Sequence, residues 1–239
     1  MMAEWAPKRF WKEAAVADLP EGFAVRLDGR PVRTPGKAPL SVPTRALAHA
    51  IAAEWDAQAE RVEPETMPYT RAANAAIDKV TPRFDDVARM LADYADADLL
   101  CYRAESPEAL VARQAAGWDP LLDWADKALG ARLVPVSGVM HVPQPGESLR
   151  ALGKRVFALT PFELTALHDM VTISGSLVIG LAAIQGHREI ADLWEVSRID
   201  EVWQEEAWGI DEEAMERTEN RRKAFHHAAN FHAMLQRRV

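Results

Sequence analysis

The feature that most restricts the fold of this chain is a change in the period of its apolar residues. Phe23, Val25 and Leu27 alternate with polar or small neighbours, Asp28-Gly29 follows, and Val32 resumes the apolar positions. That pattern predicts a hairpin around a tight turn. Pro31 cannot donate to a ladder, so the returning strand is expected at an edge, and Arg9-Phe10-Trp11 is expected to add a further strand. Beyond Pro64 and Pro68 the apolar residues recur with helical spacing instead. The chain therefore predicts an α+β fold: a small N-terminal β-containing domain over 1–62, with one helix, followed by a larger α-helical domain over 63–239.

Capping chemistry places the helices. Thr44 is set to cap one running to about Gln58, with Leu47, Ile51 and Trp55 four apart on one face. Ser106-Pro107-Glu108 and Asp119-Pro120 each put a capping side chain before a proline, which predicts two helix starts, the second helix ending at Gly130. Thr160-Pro161-Phe162-Glu163 has the form of a capping box. Leu177 to Ile184 is apolar but far short of the roughly 20 residues of a membrane span, and reads as a buried core helix. Asp211 is set to cap a long last helix in which Met215, Arg222, Phe225, Ala229, His232 and Leu235 line one side. Arg132 to Pro145 is expected to be extended.

Charge and cysteine content narrow the function. A formal charge of -8 disfavours nucleic acid or an anionic membrane surface as the main partner. The first twenty residues carry charges and prolines where a secretory signal needs an apolar run. The single Cys101, flanked by Leu99, Leu100 and Tyr102, excludes an internal disulfide and reads as a small buried hydrophobe.

No catalytic pattern is complete in this sequence. His226, His227 and His232 share the last helix, yet a zinc pair wants a spacing of four, and five or six points the rings apart. Asp93, Asp96 and Asp98 lack the central glycine and distal glutamate of a calcium loop. Ser174-Gly175-Ser176 is not a nucleophile elbow, and no glycine loop is built for phosphate. Neither metal nor cofactor is expected, and the chain reads as a non-enzyme. What stands out is tryptophan beside carboxylates: Glu54-Trp55-Asp56, Trp118-Asp119, Trp194-Glu195, and the run from Asp200 and Glu201 through Trp203 and Glu205 to Trp208. Tryptophan desolvates a large area at little entropic cost, and Asp200, Glu201, Glu205 and Glu206 form a dense acidic face suited to a basic partner.

Over nearly its whole length the sequence resembles the assembly chaperones of the F-type ATP synthase head that act on the α subunit, the assembly factor two family. The resemblance rests on Arg9-Phe10-Trp11-Lys12, Leu27-Asp28-Gly29-Arg30 with Thr34-Pro35, Val42-Pro43-Thr44, Glu54 to Gln58, Asp98 to Arg103, Trp118 to Ala125, and Glu201 to Gly209, in that order and spacing. It implies a monomeric chaperone that binds the unassembled α subunit and shields its β-facing surface. A carboxylate of Asp200-Glu201 would make the contact, supported by Trp203, Glu205 and Trp208. Trp55, with Glu54 and Asp56, would be structural or a second contact. A bacterial cytoplasmic location is expected, the mitochondrial matrix for eukaryotic relatives. The alternatives are a metal-dependent hydrolase using the C-terminal histidines, and a general acidic, Trp-rich interaction protein.

Overall fold

The structure, a computed structural model, describes residues 8–138, 140–209 and 211–236. Strands β1 (Ala14–Leu19) and β2 (Gly22–Leu27) form an antiparallel pair in which Leu19 faces Gly22 and Ala14 faces Leu27. β3 (Arg30–Pro31) and β4 (Ser41–Val42) both pair antiparallel with β2, at its end and its start. The predicted hairpin is therefore present. Asp28 and Gly29 turn it with φ of 46° and 79°, the paired positive values of a tight two-residue turn. β1 was not anticipated, because AAVADL carries too few large apolar residues to show an alternation. Arg9-Phe10-Trp11 is not a strand; Lys8 forms only an isolated bridge to Arg61, and Arg9 has another task described below.

Helix α1 (Arg45–Asp56) starts as expected, Leu47 N–H donating to Thr44 Oγ1 at 3.3 Å. Leu47 and Ile51 are fully buried. α2 (Pro68–Ala75) and α3 (Phe84–Asp93) follow. A two-residue parallel pairing joins β5 (Tyr102–Arg103) to β6 (Val136–Ser137), so among the described residues of the extended 132–145 segment only that part is a strand.

One helix, α4 (Glu108–Trp124), replaces the two expected there, with Pro120 inside it. Its first residue follows Pro107, and the Ser106 side chain makes no capping bond. Asp119 does not cap either: it is ion-paired with Arg103 at 2.7 Å. Trp118, Leu121 and Leu122, all buried, span the proline and hold the helix together through it. The chain then leaves through Gly130 at φ 67°, where a helix end was expected.

The remaining helices are α5 (Gly146–Phe157), α6 (Pro161–Ser174), α7 (Leu177–Ile184), α8 (Ile190–Ser197), α9 (Ile199–Trp208) and α10 (Glu212–Gln236). The capping box is made: Thr160 N–H donates to Glu163 Oε2 at 2.8 Å, and Glu163 N–H to Thr160 Oγ1 at 3.3 Å. Leu177 to Ala183 are all buried, so α7 is the core helix its composition requires. Ala214 N–H donates to Asp211 at 2.7 Å, capping α10. No described helix is long and apolar enough to cross a membrane.

The chain divides into two compact units. The first takes the chain to Phe84 with Thr160–Ala166 and the residues from Asn230; Val62, the expected boundary, lies within it. Val25, Leu40, Leu47, Ile51, Met67, Leu164 and Phe231 form its core. The second takes Asp85–Leu159 and Leu167–Ala229, around Trp118, Leu121, Leu152, α7, Trp194 and Phe225.

Gly22 is the tightest point of the sheet. Its φ is 101°, and a Cβ there would lie 2.6 Å from the Val42 carbonyl oxygen, a backbone atom that cannot swing aside. Gly22→Ala is expected to destabilise by about 2 kcal/mol or more, from the left-handed backbone and the clash together. Thermal unfolding would show this as a lowered Tm; an unchanged Tm would mean that β4 does not approach β2 so closely.

Candidate protein-binding surface

The first unit places Glu54, Trp55 and Asp56 at the end of α1, where both carboxylates accept hydrogen bonds and Trp55 makes a ring contact while its indole N–H is buried without an acceptor among the described residues. Glu54 caps α2: its Oε1 accepts from Tyr69 N–H and its Oε2 from Thr70 N–H, both at 2.7 Å. Burial raises its pKa, and these hydrogen bonds only partly offset that. Asp56 accepts from Ala14 N–H at 2.9 Å and lies 3.8 Å from Arg9. Trp55 is half-buried and meets the buried Trp11 edge to face, ring centroids 5.2 Å apart. Arg9 explains the segment around it. Its guanidinium donates to the carbonyls of Trp11, Lys12, Asp56 and Gln58 at 2.5 to 3.2 Å, clamping the N-terminal segment to the end of α1.

In the second unit α9 packs on α4, and Ile199 comes close over Gly117. A Cβ at that position would lie 2.5 Å from Ile199 Cδ1. Trp118 Nε1 donates to the Val196 carbonyl at 2.7 Å, fixing the preceding turn. This anchoring sets the directions of the α9 acids, and each has an intramolecular partner. Asp200 accepts from Gln114 Nε2 at 2.6 Å, and the buried Gln114 in turn accepts from Ala104 N–H. Glu201 lies 3.6 Å from Arg221, and Glu206 2.8 Å from Arg113. Glu205 pairs with Arg198, a residue only 7% exposed whose guanidinium also lies over the Trp194 ring at 5.5 Å. The arginines and Gln114 come from other helices or from the α8–α9 junction, so no reading of the 199–209 segment alone could supply them.

Aromatic exposure along α9 is uneven. Trp203 is half-buried, whereas Trp208, the last helical residue, is 82% exposed beside Gly209 at φ 81°. An apolar residue of that size at such exposure is a feature a fold does not need for its own stability. The second unit also carries a shallow groove of about 680 Å³ bordered by Arg89, Met90, Asp93 and Tyr94, with Arg89 already 3.5 Å from Asp86.

The histidines and cysteine do not converge. Among the described residues no group of three or more His, Cys, Asp or Glu side chains is placed to hold a metal. His232 is buried, its Nε2 3.4 Å from Gln236 Nε2, and burial lowers its pKa. Cys101 is buried, and burial together with the charge of Asp98 pushes its thiol up to about 12, far from a reactive thiolate.

Comparison with known proteins shows the family. The family model described as ATP12 chaperone protein matches residues 8–126. The crystal structure of Atp12 from Paracoccus denitrificans superposes with a TM-score of 0.93 at 51% identity, covering 98% of this chain and all of that one. The chain belongs to the ATP12 chaperone family. A lysine-for-aspartate variant of the P. denitrificans Atp12p gives 0.94 at 50% identity, with the same coverage. The mitochondrial protein atp12 of Schizosaccharomyces pombe is 25% identical over 221 residues, 87% of this chain and 76% of that protein. The resemblance seen in the sequence, to the ATP synthase assembly factors, is thus shown.

Several motifs by which the ATP12 family was recognised prove to be internal fastenings. Besides Arg9 and Glu54, the fully buried Asp98 accepts from Leu100 N–H at 3.1 Å and Val178 N–H at 3.0 Å, tying the turn before β5 to the start of α7. Burial raises its pKa from 3.8 to about 6, against the pull of hydrogen bonds from Ser176, Val178 and Leu100. A carboxyl whose folded value is raised contributes stability that is fully present below its unfolded value and lost as pH rises through the folded one. Wild type should therefore gain stability relative to Asp98→Asn as pH falls from 7 to 4. Urea midpoints of both proteins across that window check this; a constant difference would contradict the raised value.

The α9 pairs differ in burial and so in consequence. Glu205→Gln leaves the buried Arg198 without its counter-charge and should cost about 1.5–3 kcal/mol. Glu206→Gln removes an exposed pair and should cost less than about 1 kcal/mol. Chemical denaturation of the two variants gives the comparison, and equal losses would rule out the internal role given to Arg198.

Proposed function

We propose that this chaperone binds the unassembled α subunit of the F-type ATP synthase in the cytoplasm, shielding the surface that later meets the β subunit, and that it does so without catalysis. The observation that carries the reading is the α9 segment of an ATP12-family fold: a helix lined with carboxylates that ends in a fully presented tryptophan. An orphan subunit of an obligate oligomer exposes a large apolar interface and aggregates. A binder with an exposed aromatic anchor and an acidic surround is suited to cover part of such an interface and to let it go again.

Within this reading Asp200 and Glu201 remain the carboxylates implied by the family resemblance, with Trp203, Glu205 and Trp208 around them. Glu201 is the more available of the two. Its ion pair with Arg221 is long and both side chains are close to half-exposed, whereas Asp200 is hydrogen-bonded to a buried glutamine. The Glu54-Trp55-Asp56 segment is assigned to fold maintenance, since each of its carboxylates satisfies backbone donors.

Purified protein is expected to suppress light scattering by isolated α subunit in the absence of ATP. Glu201→Lys should weaken that protection several-fold while leaving the circular dichroism spectrum and Tm unchanged. Scattering that is the same with and without wild-type protein would remove the α subunit as client.

A further inference from the structure

The distribution of paired and free acids separates two neighbouring parts of the molecule. Residues 200–216 hold eight carboxylates (Asp200, Glu201, Glu205, Glu206, Asp211, Glu212, Glu213 and Glu216) and no lysine or arginine, in a chain whose formal charge is -8. The four on α9 are engaged by Gln114, Arg221, Arg198 and Arg113. A carboxylate held that way can meet a partner's cation only by giving up its own donor. Asp211 caps α10 and Glu213 pairs with Arg217. Glu212 and Glu216 are exposed and form no salt bridge among the described residues.

Helical geometry puts these two free acids together. Glu212 and Glu216 are four apart and Met215 is three from Glu212, so the three share one face of the first turns of α10. Met215 is 47% exposed. Like charges four apart disfavour a helix, and among the described residues no cation relieves this pair. Trp208 stands at the other side of the short connection between α9 and α10, 82% exposed. Two large apolar side chains and two uncompensated carboxylates thus lie within nine residues.

We infer that the α9–α10 corner, Trp208 with the Glu212, Met215 and Glu216 face, is a docking surface for a cationic amphipathic segment of a protein partner. This rests on the reading of the protein as a binding chaperone and shifts the point of first contact along the chain. Asp200, Glu205 and Glu206 hold α9 in place, the corner meets the partner first, and the loosely paired Glu201 stays available to it. The occupant follows from complementarity: positive groups answer Glu212 and Glu216, and an apolar side covers Trp208 and Met215. An anionic segment fails the first requirement and a purely polar one the second.

The test uses the full-length protein and synthetic sixteen-residue peptides, one of leucine and lysine in helical alternation, one with glutamate for lysine, one with serine for leucine. Binding is read by tryptophan fluorescence and by calorimetry at two salt concentrations. The leucine–lysine peptide is expected to bind, at least tenfold more tightly than either control peptide, and to weaken as salt rises. Trp208→Ala, and Glu212→Lys with Glu216→Lys, should each weaken it at least tenfold; Glu147→Lys with Glu189→Lys, reversing exposed acids elsewhere, should not. Equal binding of all three peptides, no binding by wild type, or an equal loss in the Glu147 and Glu189 control overturns the inference. The same variants in the α-subunit scattering assay separate the two proposals. Wild type that binds the peptide yet fails to protect α subunit sinks the client and leaves the corner. Protection that survives all the corner substitutions sinks the corner and leaves the client.

Discussion

Backbone N–H groups at the starts of short elements have to find acceptors, and in this protein carboxylates supply many of them. A buried donor left without a partner costs about 1–3 kcal/mol, so a fold assembled from two-residue strands and eight-residue helices carries many such liabilities. Asp28 accepts from Lys12 and Glu13, Asp56 from Ala14, Glu54 from Tyr69 and Thr70, and Asp78 from Gly36. In the second unit Asp96 accepts from Gln144, and Asp98 from Leu100 and Val178. Each bond joins segments well separated in sequence or fixes a turn, and none of these acids is then free for a partner. Arg9 is the mirror image of the same device, a cation that satisfies four carbonyls.

This explains which parts of the fold could be read from sequence. Signals completed within four residues were legible: the Thr44 cap, the Thr160 and Glu163 box, the Asp211 cap, the Asp28-Gly29 turn and the end at Gly130. Their physics is local, so the residue types are sufficient evidence. Asp119-Pro120 misled for the complementary reason. A cap followed by proline is a start signal only if the aspartate is available, and Arg103, sixteen residues upstream, has taken it. The buried Trp118 and Leu121 then carry the helix across the missing donor. β1 was hidden because its pairing with β2 supplies what its alanines cannot signal.

The acidic, tryptophan-bearing face of α9 was legible in composition and not in geometry. Tryptophan beside carboxylate marked α9, yet juxtaposition in sequence does not distinguish an acid that faces a partner from one that neutralises a buried guanidinium. Arg198 makes the difference. A charge that deep must be matched inside the protein, and Glu205, two turns further along α9, is the group that does so. Gln114 similarly fixes Asp200. The arginines that draw the α9 acids inward lie at positions 113, 198 and 221, spread over more than a hundred residues of chain.

A chaperone that must surrender its client gains from keeping recognition on exposed charge and one aromatic anchor. Rim charges raise the rate of encounter and are screened by salt, and they add little to the lifetime of the complex. A single presented tryptophan supplies contact area without committing the client to a buried interface of the size found between permanent partners. If Asp200 and Glu205 were themselves the contacts, each binding event would expose Gln114 or leave Arg198 uncompensated, and the cost would fall on the packing of α9 against α4. An arrangement in which the acids that hold α9 are not the ones that meet a partner would let binding and release proceed with the helix undisturbed.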